Sequence, residues 1–131
     1  MRVYLALAAV LVVAGTLAPA VVAHHSRSAE FDVDVAVSFT GNVVRVDWRN
    51  PHVWIFIDAT DADGTVTHWE SQLGGNPVSM ARNGWRMDTL APGEEVAVEG
   101  IMSYCCENVM LADTIQRANG ERVFAGRAPG E

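Results

Sequence analysis

The chain contains no lysine, so every permanently positive side chain is an arginine. Its two cysteines are adjacent, Cys105-Cys106, and no Cys/His spacing fits a zinc motif. No nucleophile–base pair and no phosphate-cradling loop is visible, which removes the usual starting points for an enzyme. The turn Asp61-Ala62-Asp63-Gly64 lacks the length and closing Glu of a calcium loop. Clustered positive charge is also missing: 9 basic residues face 16 acidic ones, a formal charge of −7. That balance disfavours binding to a nucleic-acid backbone, which needs grouped cations. Long apolar runs are scarce too. The one candidate, Leu5 to Leu17, is too short and too weakly flanked for a membrane span.

That run reads instead as the core of a secretory signal over residues 1–23. Arg2 supplies the positive start, and Val21-Val22-Ala23 fits the small-residue cleavage rule. Ala18-Pro19-Ala20 offers a second cut. No lipobox cysteine follows, so no lipid anchor is expected. Cleavage after Ala23 leaves 131 − 23 = 108 residues, enough for one domain with a modest core. The expected product is periplasmic or secreted, with no stable membrane anchor. Its 8 arginines against 16 acids give 8 − 16 = −8.

Residues 24–36 read as a polar arm, with Phe31 its docking point. The domain proper is expected over 37–126, with a frayed tail at 127–131. In the first strand Val37 and Phe39 share one phase, and Val44, Val46 and Trp48 share the other. A β-bulge at Gly41 would account for that slip and bend the strand, letting it pair into both halves of a small barrel. Pro51 suits the start of a second strand, about His52 to Ala59. A third runs from about Thr65 to Ser71. The loop between them, with Gly64 in the left-handed region, suits a bulged hairpin that pairs Asp61 with Thr65.

This register sets Asp58 opposite His68 and Ile57 opposite Trp69. Val53, Ile55, Ile57 and Trp69 then face the core. The alternative two-residue loop would bury Glu70 beside Ile57, which is costly.

Asn76-Pro77 caps and starts a short helix over 77–83, and Gly84 ends it. Val78, Met80 or Ala81 would be buried, with Trp85 packing behind. Pro92-Gly93 turns into a fourth strand carrying Val96, Val98 and Ile101. Val109 to Gln116 form a fifth, and Asn119-Gly120 makes a hairpin into Arg122–Ala125. The order β-β-β-α-β-β, with a bent first strand, is that of a small five-stranded OB-fold-like barrel: all-β with one short helix.

His52, Trp54, Phe56, Asp58, His68 and Glu70 share the outward face of strands two and three. In OB folds this face takes oligonucleotides or sugars, and two aromatics flanked by polar groups suit a sugar or another planar ligand. The plainer reading is that the arm or a loop covers the aromatics as satellite core. His52 and His68 cannot share a metal ion, because the register puts their imidazoles about 20 Å apart at ~3.3 Å per residue. His52 reads as a turn-stabilising donor, and His68 as the cross-strand partner of Asp58.

His24 and His25 would stand at the mature N-terminus. The α-amine and two imidazoles there could hold Cu(II), which favours tetragonal nitrogen ligands. The plainer reading is a polar arm. Cys105-Cys106 reads as a buried reduced pair, with Tyr104, Val109 and Leu111 supplying cover for at least one thiol. An intermolecular bridge, a Cu(I) thiol pair aided by Met102 and Met110, and a labile disulfide in a small strained ring are the alternatives.

Four blocks together resemble a family: His24-His25-Ser26, then Gly41 with Asn50-Pro51-His52-Val53-Trp54, then Asn76-Pro77 with Gly84-Trp85, and Pro92-Gly93 with Val96, Val98 and Gly100. The pattern resembles the exported bacterial domain-of-unknown-function family 6152, over roughly 24–126. The resemblance implies a single exported β-rich domain. It supplies no activity, and Cys105-Cys106 is outside its pattern. The expected function is a non-catalytic binding or accessory module for an unidentified small molecule or periplasmic protein. Copper handling is the alternative, and no other cofactor is expected.

Overall fold

The structure, a computed structural model, describes residues 27–126. It contains a one-turn helix α1 (Arg27–Glu30), β1 (Phe31–Asp47), β2 (Trp54–Thr60), β3 (Val66–Leu73), helix α2 (Pro77–Arg82), β4 (Glu95–Ser103), β5 (Val109–Arg117) and β6 (Arg122–Ala125). The strand order is β3-β2-β1-β4-β5-β6, and a parallel β3–β5 pairing closes five of the strands into a ring. The remaining pairings are antiparallel. The fold is therefore all-β with a short helix, in the OB-fold-like order that the pattern implies.

β1 serves both halves of the ring. It pairs with β4 from Phe31 to Asn42 and with β2 from Asn42 to Asp47. Gly41 sits at the handover because a Cβ there would stand 2.6 Å from the Asp58 carbonyl oxygen. The bulge itself falls between Val43 and Arg45 rather than at Gly41. Val43 is therefore buried at 2% exposure, while Val44, which the sequence puts in phase with Val46 and Trp48, is 43% exposed. A second irregularity between Asp32 and Ala36 lets β1 begin at Phe31. Residues 31–36, read as arm, thus belong to the sheet, and Phe31 is the docking point expected of it.

The β2–β3 loop adopts the expected register. Asp61 N–H bonds Thr65 O at 2.9 Å, Gly64 has φ +87°, and Asp58 and Ile57 face His68 and Trp69. Helix α2 starts at an Asn76 cap that accepts from Ser79 N–H. Met80 alone of its side chains is buried, and Val78 is exposed. Trp85 packs behind it at right angles to Phe124, with Nε1–H donating to Val123 O at 2.8 Å. The interior is filled by Val43, Val53, Ile55, Ile57, Val96, Val98 and Ile115, among others. Each such side chain contributes about 1.5–3 kcal/mol, against under about 1 kcal/mol for a surface ion pair. The ring is held by its core, so its outer faces are free to do other things.

A shift between Glu99 and Gly100 matters for one such face. Gly100 lies against the Leu111 carbonyl oxygen, which any Cβ would overlap. Ile101, three residues after Val98, falls in the opposite phase to Val96 and Val98. The residue skipped in β5, Asp113, turns Leu111 to the same side, where both pack on Phe31 in a separate small cluster.

Candidate functional site

The outer face of β1, β2 and β3 is a grid of cross-strand rows. Asn42, Asp58 and His68 form the first row. Arg45, Phe56 and Glu70 form the second, and Asp47, Trp54 and Gln72 the third. The bulge at Val43/Arg45 is what places Arg45 and Asp47 on this side. Five of the six sequence-predicted residues, Trp54, Phe56, Asp58, His68 and Glu70, are brought together here.

Trp54 and Phe56 are half-buried, but their cover is not apolar. The Arg45 guanidinium carbon lies 3.4 Å from the centre of the Phe56 ring, and that of Arg49 lies 6.0 Å from the Trp54 ring. Asp47 orients both cations, at 3.3 Å from Arg45 Nε and 3.9 Å from Arg49 Nη1. The two arginine side chains remain 53% and 58% exposed. A ligand approaching Phe56 therefore meets a guanidinium stacked on an aromatic, a surface that offers both a flat face and spare N–H donors.

The Asp58 carboxylate accepts from His68 Nδ1 at 2.6 Å, as expected, and the His68 side chain is 78% exposed. Glu70 is exposed in the row of Phe56. His52 departs from expectation. It precedes β2, and its Nδ1 is buried without a hydrogen-bond partner, so through that atom it does not stabilise the turn. The adjacent Asn50–Pro51 peptide is cis.

Sequence reasoning missed Arg45, Asp47 and Arg49. The signal lay in the bulge position: once Val43 is read as core and Val44 as looped out, Arg45 must share the face of Phe56.

The groups with shifted acidity lie elsewhere. The Ala91 N–H, and then Arg117, hold the Glu94 carboxyl below the usual carboxylate range. Glu94 and then Glu121 raise the Arg117 guanidinium in turn. The Thr65 backbone and hydroxyl lower Asp63 in the turn.

The opposite outer face is built differently. Phe31, 4% exposed, covers Ile101 and Leu111, and Arg27 Nη2 reaches Asp113 Oδ1 at 2.5 Å. A recess of about 390 Å³ beside it is lined by Ala36, Ser38, Glu99, Ile101 and Asp113.

Cys105 and Cys106 correct the expectation of buried thiols. They form a disulfide with each other, and both are exposed. The apolar residues expected to cover them are used otherwise: Leu111 lies under Phe31, and Tyr104 is itself 59% exposed. His24 and His25 lie outside the described residues. Among the described residues no three His, Cys, Asp or Glu side chains converge as a metal site, and no helix is long and apolar enough to cross a membrane.

The model of a family of unknown function, DUF6152, matches residues 10–106, and the chain belongs to that family. The match spans every residue of the arginine–aromatic face. No curated protein and no solved structure matches the chain.

Proposed function

We propose that this family member is an exported, non-catalytic binding module whose ligand lies across the outer face of β1–β3. One observation carries the reading: Arg45 and Arg49 are laid over Phe56 and Trp54 on a face that the described N-terminal segment leaves uncovered. The ring interior is filled, so binding belongs outside it. The same face of other OB folds binds extended ligands. Export rests on the N-terminal apolar run and its cleavage signal.

The chemistry of the face favours a ring-containing ligand that carries a carboxylate. The ring would lie on the stacked guanidinium, and the carboxylate would accept from its free N–H edge. Acidic sugars are the natural probe class. Isothermal titration of the mature protein with galacturonic acid, which carries one carboxylate, and with neutral galactose tests this. The acidic probe should bind, the neutral one weakly or not at all. The double variant Trp54→Ala, Phe56→Ala should abolish binding while retaining the fold. Undiminished affinity in that variant would remove this face from the function.

A further inference from the structure

β4 ends at Ser103 and β5 begins at Val109, so residues 104–108 form an exposed connection. Its two ends are tied down. Tyr104 N–H donates to Glu30 O at 3.1 Å, and Asn108, at φ +56°, passes its carbonyl to Glu70 N–H at 2.9 Å. Between these anchors the Cys105–Cys106 bond faces solvent.

The two sulfurs are not equivalent. Ser103 Oγ lies 3.3 Å from Cys105 Sγ. A disulfide sulfur carries no proton, so the hydroxyl is the donor in that contact, and its single proton is shared with Glu30 O at the longer 3.5 Å. The hydroxyl is itself held in place, because Cys105 N–H donates to Ser103 Oγ at 3.3 Å. Among the described residues no hydrogen bond reaches the Cys106 sulfur.

We propose that Cys105–Cys106 is a thiol-exchange site with a built-in direction, taking a thiolate as its substrate. The incoming thiolate attacks Cys106 Sγ and forms a mixed disulfide there. The Cys105–Cys106 bond breaks, and its electron pair leaves on Cys105 Sγ. Ser103 O–H, 3.3 Å from that atom, turns from the neutral Glu30 carbonyl to the departing thiolate and stabilises it, and better-stabilised thiolates leave faster. When the donor is a dithiol, its second thiolate attacks the mixed disulfide. The donor leaves as a disulfide, oxidised by two electrons, and the Cys105/Cys106 pair is left as two thiols after taking up two protons. Ser103 is a positioning residue in this scheme: it selects which sulfur leaves. This site is independent of the arginine–aromatic face.

Regiochemistry tests the proposal. The native full-length mature chain is treated with limiting glutathione, the freed thiol is trapped at once with a maleimide, and both cysteines are mapped by mass spectrometry. Glutathione should be found on Cys106 and the maleimide on Cys105. Ser103→Ala should slow opening by about threefold to tenfold, the net worth of one ordinary hydrogen bond, since the site is exposed and the sulfur only partly charged as the bond breaks. It should also erode the preference towards an even split, whereas Ser103→Thr should restore it. A circular-dichroism spectrum unchanged from wild type separates this from misfolding. An even split in the wild type, glutathione mainly on Cys105, or a native bond that resists thiol while the unfolded chain reacts would each overturn the assignment. A Ser103→Ala variant with unchanged regiochemistry would overturn the role of Ser103.

Discussion

The two outer faces of the strand ring carry similar ingredients and finish them in opposite ways. On the β4–β5 side, Ile101 and Leu111 point away from the ring and are covered by Phe31, which arrives from the start of β1. Arg27 then ties the segment to Asp113. On the β2–β3 side, Trp54 and Phe56 also point away from the ring, but Arg45 of the neighbouring strand and Arg49 just beyond its end lie over them. An outward apolar residue is therefore not in itself a binding signal. What distinguishes the faces is the cover: a buried phenyl ring completes a packing cluster, whereas an exposed guanidinium leaves a surface with donors still to satisfy.

Truncating the cover on the packed side should have the largest effect. Phe31→Ala removes a buried ring and leaves Ile101 and Leu111 facing solvent. It should cost about 3 kcal/mol in urea unfolding. A loss of under about 1 kcal/mol would mean that the two faces are alike. Phe56→Ala on the other side removes a half-buried ring and should cost only about 1 kcal/mol, much of it through the lost stacking of Arg45.

A control lies outside both faces. Glu94 accepts from Ala91 N–H at 3.0 Å and Arg117 Nε at 2.5 Å. Its carboxyl is held below the ordinary range, so it binds a proton less readily folded than unfolded. Its stabilisation is therefore present above the unfolded-state pKa and is lost as the pH falls through the folded-state value. Glu94→Gln should lower the unfolding midpoint at neutral pH and match wild type in acid. A difference that persists unchanged at low pH would contradict this. The smallest effect is expected at His68, whose pairing with Asp58 is solvent-exposed. His68→Ala should change stability by no more than a few tenths of a kcal/mol. A larger loss would show that the β2–β3 face is a structural network.

Much of this was legible in the sequence because it is locally encoded. The Asp61–Thr65 loop with Gly64, the Asn76 cap and the Asn119-Gly120 hairpin each depend on a few adjacent residues, and each stands where expected. The irregular strands were harder. Residues 31–36 read as arm because polar residues interrupt their apolar ones, and Val33 and Val35 are indeed exposed, yet the irregular stretch they form lets Phe31 pair with β4. The shift at Val43/Arg45 lies two residues beyond the glycine that suggested it, and that displacement hid Arg45 from the site. The extra residue opposite Glu99/Gly100 lies in β5, at Asp113, and similarly turned Leu111 outward to meet Ile101. A bulge shows in sequence only as a break in alternation, and its position is settled by the partner strand. The state of Cys105-Cys106 was misread because Leu111, counted as its cover, is claimed by Phe31.

The most direct test of the contrast is hydroxyl-radical footprinting of the full mature chain, read by mass spectrometry at Phe31, Trp54 and Phe56. The account predicts ready oxidation at Trp54 and Phe56 and strong protection of Phe31 in the same sample. Equal protection of all three would show that both faces are covered, and would contradict the assignment of the arginine–aromatic face as the open one.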